Sequence, residues 1–90
     1  MNFLDQISRI EHIDKKIRLK TTGKPFALAK SLKISESQLY EVLKLMKKLG
    51  APIKFSKSDQ RYYYTSRKRF ICGFIDEITQ AVFSLVESLL

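Results

Sequence analysis

The sequence predicts a mainly α fold with a small β-hairpin: three helices, two short strands and a C-terminal helix in chain order. Three observations predict it. Apolar residues recur at three- and four-residue steps over residues 3–19 and again after Ser35. Residues 52–65 switch to β-branched and aromatic content on both sides of a polar turn. From residue 70 onward the helical period returns as a broad apolar stripe. Ninety residues with 44% hydrophobic content and only three Gly and two Pro describe one folded unit, residues 1–69, followed by a helix at 70–90.

The first helix is carried by Phe3, Ile7, Ile10, Ile13 or Asp14, and Ile17, which fall on one face. Thr21-Thr22-Gly23 is expected to end it, because Gly accepts the left-handed conformation of a helix cap without steric cost. Lys24-Pro25 then opens a second helix at 25–32, Pro supplying the fixed φ of a first turn. Ser35 and Gln38 have capping-box spacing, so the third helix starts there. Leu39, Leu43, Met46 and Leu49 form its stripe, Val42 and Leu45 widen it, and Gly50 with Pro52 stops it. Ile53-Lys54-Phe55 and Arg61-Tyr62-Tyr63-Tyr64-Thr65 are paired across a loop at 57–60. That register sets Phe55 against Tyr62, Lys54 against Tyr63 and Ile53 against Tyr64, turning Lys54 and Tyr63 outward. The fourth helix is expected from Phe70, with Ile71, Phe74, Ile75, Ile78, Val82, Leu85, Val86 and Leu89 on its stripe.

Three helices, a short turn at Lys33-Ile34 and then a hairpin are the order of a winged helix-turn-helix. Leu28-Ala29-Lys30-Ser31-Leu32-Lys33-Ile34-Ser35 resembles the LAxxLxVS segment in the DNA-binding domains of DeoR-type bacterial transcriptional regulators. Leu39, Leu43 and Met46 fall on that pattern's core positions. Gly50-Ala51-Pro52-Ile53 and Tyr62-Tyr63-Tyr64 are similar to the wings of small bacterial proteins of this kind, so the resemblance covers about residues 3–66. It implies a third helix that reads the major groove and double-stranded DNA as partner. Ala29 has its own physical reason, since two helices that cross closely need a small side chain, and Ile34 is suited to fill the inside of the turn.

Charge agrees with a polyanionic partner. Residues 1–50 carry eleven Lys/Arg against five acids, residues 51–70 six against one, and residues 71–90 none against three, so the positive field belongs to the folded unit. Lys24, Lys44, Lys47, Lys48, Lys54, Lys57 and Arg61 are the expected phosphate contacts, and Ser35, Ser37, Gln38 and Tyr40 the third-helix positions nearest the bases, Gln being able to bond adenine at two atoms. Arg67-Lys68-Arg69 is a short basic connector that suits either phosphate contact or a solvated linker. Glu36 and Glu41 oppose that role by repelling phosphate. Favourable interaction with the helix dipole accounts for Glu36 in a first turn, and a surface pair with Lys44 for Glu41. A binding mode dominated by the phosphate backbone is therefore expected, with the lysines and hairpin supplying most of the affinity. Stacking of a single strand on Tyr62, Tyr63 and Tyr64 is the weaker reading, because alternating strand aromatics usually pack.

No glycine-rich phosphate loop, nucleophile elbow or paired-carboxylate motif is present, so no enzyme is expected and no cofactor or small-molecule ligand is called for. His12 reads as a helix-surface residue. The lone Cys72 is expected to be a buried thiol, and its spacing calls for no metal. With neither a signal-like N-terminus nor an uninterrupted apolar span, a cytoplasmic protein away from membranes is expected. The C-terminal stripe is wider than a small three-helix core covers. Phe74, Ile78, Val82, Leu85 and Leu89 are thus expected to form a homodimer, the alternative being that the helix folds back on the first one. Two other readings remain: a protein-interaction module presenting Glu36, Tyr40, Val42 and Leu45, and the N-terminal fragment of a longer regulator.

Overall fold

A computed structural model describes residues 2–74 and 77–89 of the chain. It is mainly helical, with four helices and one two-stranded antiparallel hairpin, in the order α1 (Phe3–Arg18), α2 (Pro25–Ser31), α3 (Glu36–Lys48), β1 (Ile53–Ser56), β2 (Arg61–Tyr64) and α4 (Glu77–Leu89).

Helix α1 starts at Asn2, whose Oδ1 accepts a hydrogen bond from the Asp5 N–H at 2.8 Å. It buries Ile10, Ile13, Asp14 and Ile17, whereas Phe3 at the start of the expected stripe stays exposed. Its end differs from expectation. Lys20, not Gly23, takes the left-handed position after the helix, at φ 61°. The N–H groups of Lys20 and Thr21 return to the carbonyls of Ile17 and Lys16, which satisfies two otherwise orphaned acceptors. Gly23 is left-handed as well, at φ 67°, but serves the turn into α2. Holding a Cβ-bearing residue in this region costs about 1 kcal/mol, so Lys20→Gly is expected to stabilise the chain by about that much. A chemical-denaturation midpoint unchanged or lowered in that variant would contradict the cap geometry.

Pro25 occupies the first turn of α2, which packs Leu28 and Ala29 into the core. Ile34 is half-buried against that core, and its N–H closes the α2 end on the Ala29 carbonyl at 3.1 Å. Helix α3 opens with both halves of the capping box: Gln38 N–H to Ser35 Oγ at 3.1 Å and Ser35 N–H to Gln38 Oε1 at 3.0 Å. Leu39, Val42, Leu43 and Met46 are buried, while Leu49 sits at the cap and is exposed. Gly50, at φ 104°, then lets Ala51 N–H reach the Met46 carbonyl and stop the helix.

The hairpin has the expected register, Ile53 with Tyr64, Lys54 with Tyr63 and Phe55 with Tyr62. Ile53 and Tyr62 enter the common core with α1, α2 and α3, and the Phe55 and Tyr62 rings meet edge to face at 5.0 Å. Two long-range polar links tie the strand down. Thr22 is buried and its Oγ1 accepts the Tyr62 N–H at 2.8 Å, joining the α1–α2 turn to β2. Asp14, 2% exposed, accepts from the Tyr64 hydroxyl at 2.7 Å and from Arg18 Nε at 2.9 Å.

The C-terminal region departs most from the sequence reading. Residues 67–72 are irregular rather than helical, and Gly73 has φ 119°, which interrupts a right-handed helix. Phe70, the expected start of the fourth helix, packs instead against the main core. Cys72, expected to be a buried thiol, is exposed, since it lies past the point where Phe70 leaves the core. Phe74 also precedes α4 and is exposed, so it is not a helical interface position. Ile75, expected on the same stripe, lies outside the described residues. On α4 itself Ile78, Val82, Leu85, Val86 and Leu89 are all exposed, which removes the arrangement in which they complete the core against α1.

Candidate nucleic-acid interface

Lys24 stands at the cap of α2, Lys44 in the second half of α3, Lys54 on the outer position of β1 and Lys57 in the hairpin loop, and all four are exposed. Among the described residues none of their ammonium groups has a hydrogen-bond or ion-pair partner, so nothing internal neutralises them. Arg61 is different. It begins β2 half-buried, with Asp59 Oδ2 3.7 Å from its guanidinium, a distance and exposure at which an ion pair contributes little.

On α3 the outward residues are Glu36, Ser37, Gln38, Tyr40, Glu41, Lys44, Lys47 and Lys48. Acids therefore open the helix and lysines close it, which suits its dipole. The expected Glu41–Lys44 pair is not formed, because these exposed side chains gain little in water from holding one geometry. Ser35 and Gln38, expected to face bases, are committed to the cap, and Gln38 Oε1 is already an acceptor there. Ser37 and Tyr40 remain available on the surface.

The structure brings the start of α3 to the hairpin. Burial pushes the Tyr62 hydroxyl up to about 12, and the nearby Tyr40 and Glu36 add to the effect by disfavouring another negative charge. Tyr64 is raised further, first by burial and then by its hydrogen bond to Asp14. Both tyrosines thus stay neutral donors and packing groups at physiological pH. Neither is an exposed platform for stacked bases, since Tyr62 is buried and Tyr64 half-buried.

A groove that the sequence reading did not assemble meets the hairpin along β2. Arg18 and Lys20 from the end of α1, Arg61 and Tyr63 from β2, and Arg67 and Lys68 from the connector line one open groove of about 670 Å³. Arg61 of these was an expected contact, and Arg67 and Lys68 belong to the basic connector that the sequence offered either to phosphate or to solvent. Arg18 and Lys20 lie more than forty residues before Tyr63, Arg67 and Lys68, and no local pattern joins the two groups.

Among the described residues no group of three or more His, Cys, Asp or Glu is placed to hold a metal ion. No described helix is long and apolar enough to cross a membrane. No protein-family model, curated protein or solved structure matches this chain.

Proposed function

We propose that the chain is a winged helix-turn-helix protein that binds double-stranded DNA, holds it chiefly by the phosphate backbone, and acts as a small transcriptional regulator. The supporting observation is the set of exposed, unpartnered lysines on α2, α3 and the hairpin: Lys24, Lys44, Lys54 and Lys57. In this reading α3 approaches the major groove with Ser37 and Tyr40, and the hairpin is the wing. Glu36 and Glu41 limit base reading near them, so sequence preference is weak relative to total affinity.

Titration of duplexes of unrelated sequence at several salt concentrations tests the reading. Lys44→Ala with Lys57→Ala is expected to weaken binding on the order of tenfold on all sequences alike, and to flatten the log–log salt dependence by about 2. Glu36→Arg is expected to strengthen it. A parent protein that binds no duplex at low salt would refute the proposal.

A protein-interaction module is the second reading, and the unpaired Glu36 and Glu41 beside Tyr40 favour it. Its proposed face is reduced, however, because Val42 is 4% exposed and Leu45 packs against the core.

We further propose a homodimer formed through α4. Ile78, Val82, Leu85 and Leu89 succeed one another at steps of four, three and four residues, the spacing of a coiled-coil seam. Their exposure leaves the whole seam available to a second copy.

A further inference from the structure

The groove along β2 gathers five cationic side chains, Arg18, Lys20, Arg61, Arg67 and Lys68, around Tyr63. Complementing the negative end of α1 accounts for Arg18 and Lys20. It does not account for Arg61 on a strand or for Arg67 and Lys68 on an irregular connector. Bringing those charges to the same groove costs mutual repulsion, which an anion lying between them relieves. The acids nearby offset only two of the five, leaving Lys20, Arg67 and Lys68 without an ion-pair partner among the described residues. Asp14 is buried beneath Arg18, and Asp59 meets only Arg61, at 3.7 Å.

One wall is also organised in advance. Asp14 holds Arg18 through Nε, and the Tyr64 hydroxyl fixes the other carboxylate oxygen. The two terminal nitrogens of the Arg18 guanidinium have no partner among the described residues, and the side chain keeps 34% of its exposure. A guanidinium held by one edge, with its remaining donors free, is suited to the tetrahedral oxygens of a phosphate.

We propose that this groove seats the phosphodiester backbone of the bound duplex where it runs past the hairpin, extending the interface from α3 and the hairpin onto the connector. The proposal rests on the duplex-binding reading above. Arg61 makes the two surfaces continuous, since it starts the hairpin's second strand and lines the groove.

The test compares Arg67→Ala/Lys68→Ala with Lys15→Ala/Lys30→Ala, which removes the same charge from exposed positions outside the groove. Each is titrated with a duplex of about 20 bp and with one of its strands, across a salt series. Thermal melting first establishes that both variants remain folded. The groove variant is expected to lose on the order of tenfold in duplex affinity and to flatten the salt slope by about 2, while the control loses much less. If the groove variant matches the control while the parent still binds duplex, the groove assignment falls and the α3–hairpin reading stands. A parent that binds no duplex at low salt overturns both. Tighter binding of the single strand than of the duplex, lost only in the groove variant, overturns the assignment to duplex backbone.

Discussion

Asp14→Ala is expected to lower the unfolding free energy by about 3 kcal/mol, because the carboxylate is buried while serving two donors at once. Removing it leaves the half-buried Tyr64 hydroxyl without its acceptor and frees Arg18 from the helix end. The effect should exceed that of losing a surface ion pair, for which about 0.5 kcal/mol is typical. In a chain of this size a loss of about 3 kcal/mol lowers the melting temperature by roughly 10–20 °C. Asp14→Asn keeps the shape and one acceptor oxygen and should lose less. The Tyr64→Phe variant provides the control on mechanism. If the carboxylate acts through the Tyr64 hydroxyl, the double variant is less destabilised than the sum of the two singles by about 1 kcal/mol. Strict additivity, or an Asp14→Ala loss under about 1 kcal/mol, would show that the network does not hold β2 to α1.

Asp14 also marks where the sequence stopped being legible. The helical period admitted either Ile13 or Asp14, and both are buried, since adjacent residues lie only about 100° apart on a helix and α1 is covered by α3 on one side and β2 on the other. What makes the acid tolerable is a partner fifty residues away, invisible to any local pattern. Thr22 is the same case, with its strand partner forty residues on. Short-range devices were readable because their partners are neighbours: the Ser35–Gln38 box, Pro25, and a hairpin whose four-residue loop fixes its register. Reading a cap correctly also limited the site, because Ser35 and Gln38 cannot both close the helix and stay free for bases. The connector was misread for a physical reason too. Phe70, Ile71 and Phe74 keep the helical period, but Phe70 gains more by packing on the main core than by extending an uncovered helix. Lys20, which replaces the expected Gly at the α1 cap, became part of a groove assembled from two stretches about forty residues apart.

Replacing Val82 and Leu85 together by Glu is expected to convert the proposed dimer to monomer and to weaken duplex binding roughly 100-fold. The first effect follows from what α4 leaves in water. Ile78 is 80% and Leu89 85% exposed, with Val82 and Leu85 between them on the same seam. Each such side chain contributes roughly 1.5–3 kcal/mol when buried, against an association cost of at least about 4 kcal/mol. A helix of thirteen residues is only about 20 Å long, so the pairing is expected to be of micromolar strength rather than permanent. Two glutamates facing each other across that seam add desolvation and like-charge repulsion, which a short interface cannot absorb. The second effect follows from geometry. A two-fold dimer offers two hairpins and two α3 helices to one duplex, and losing the second contact forfeits an effective-concentration gain of about 10²–10⁴. Light scattering across the micromolar range, followed by duplex titration, separates the two steps. A parent that is monomeric at about 100 µM refutes pairing through α4. A monomeric, folded variant that binds duplex as tightly as a dimeric parent would show instead that α4 associates without serving DNA binding, and that one copy carries the whole interface.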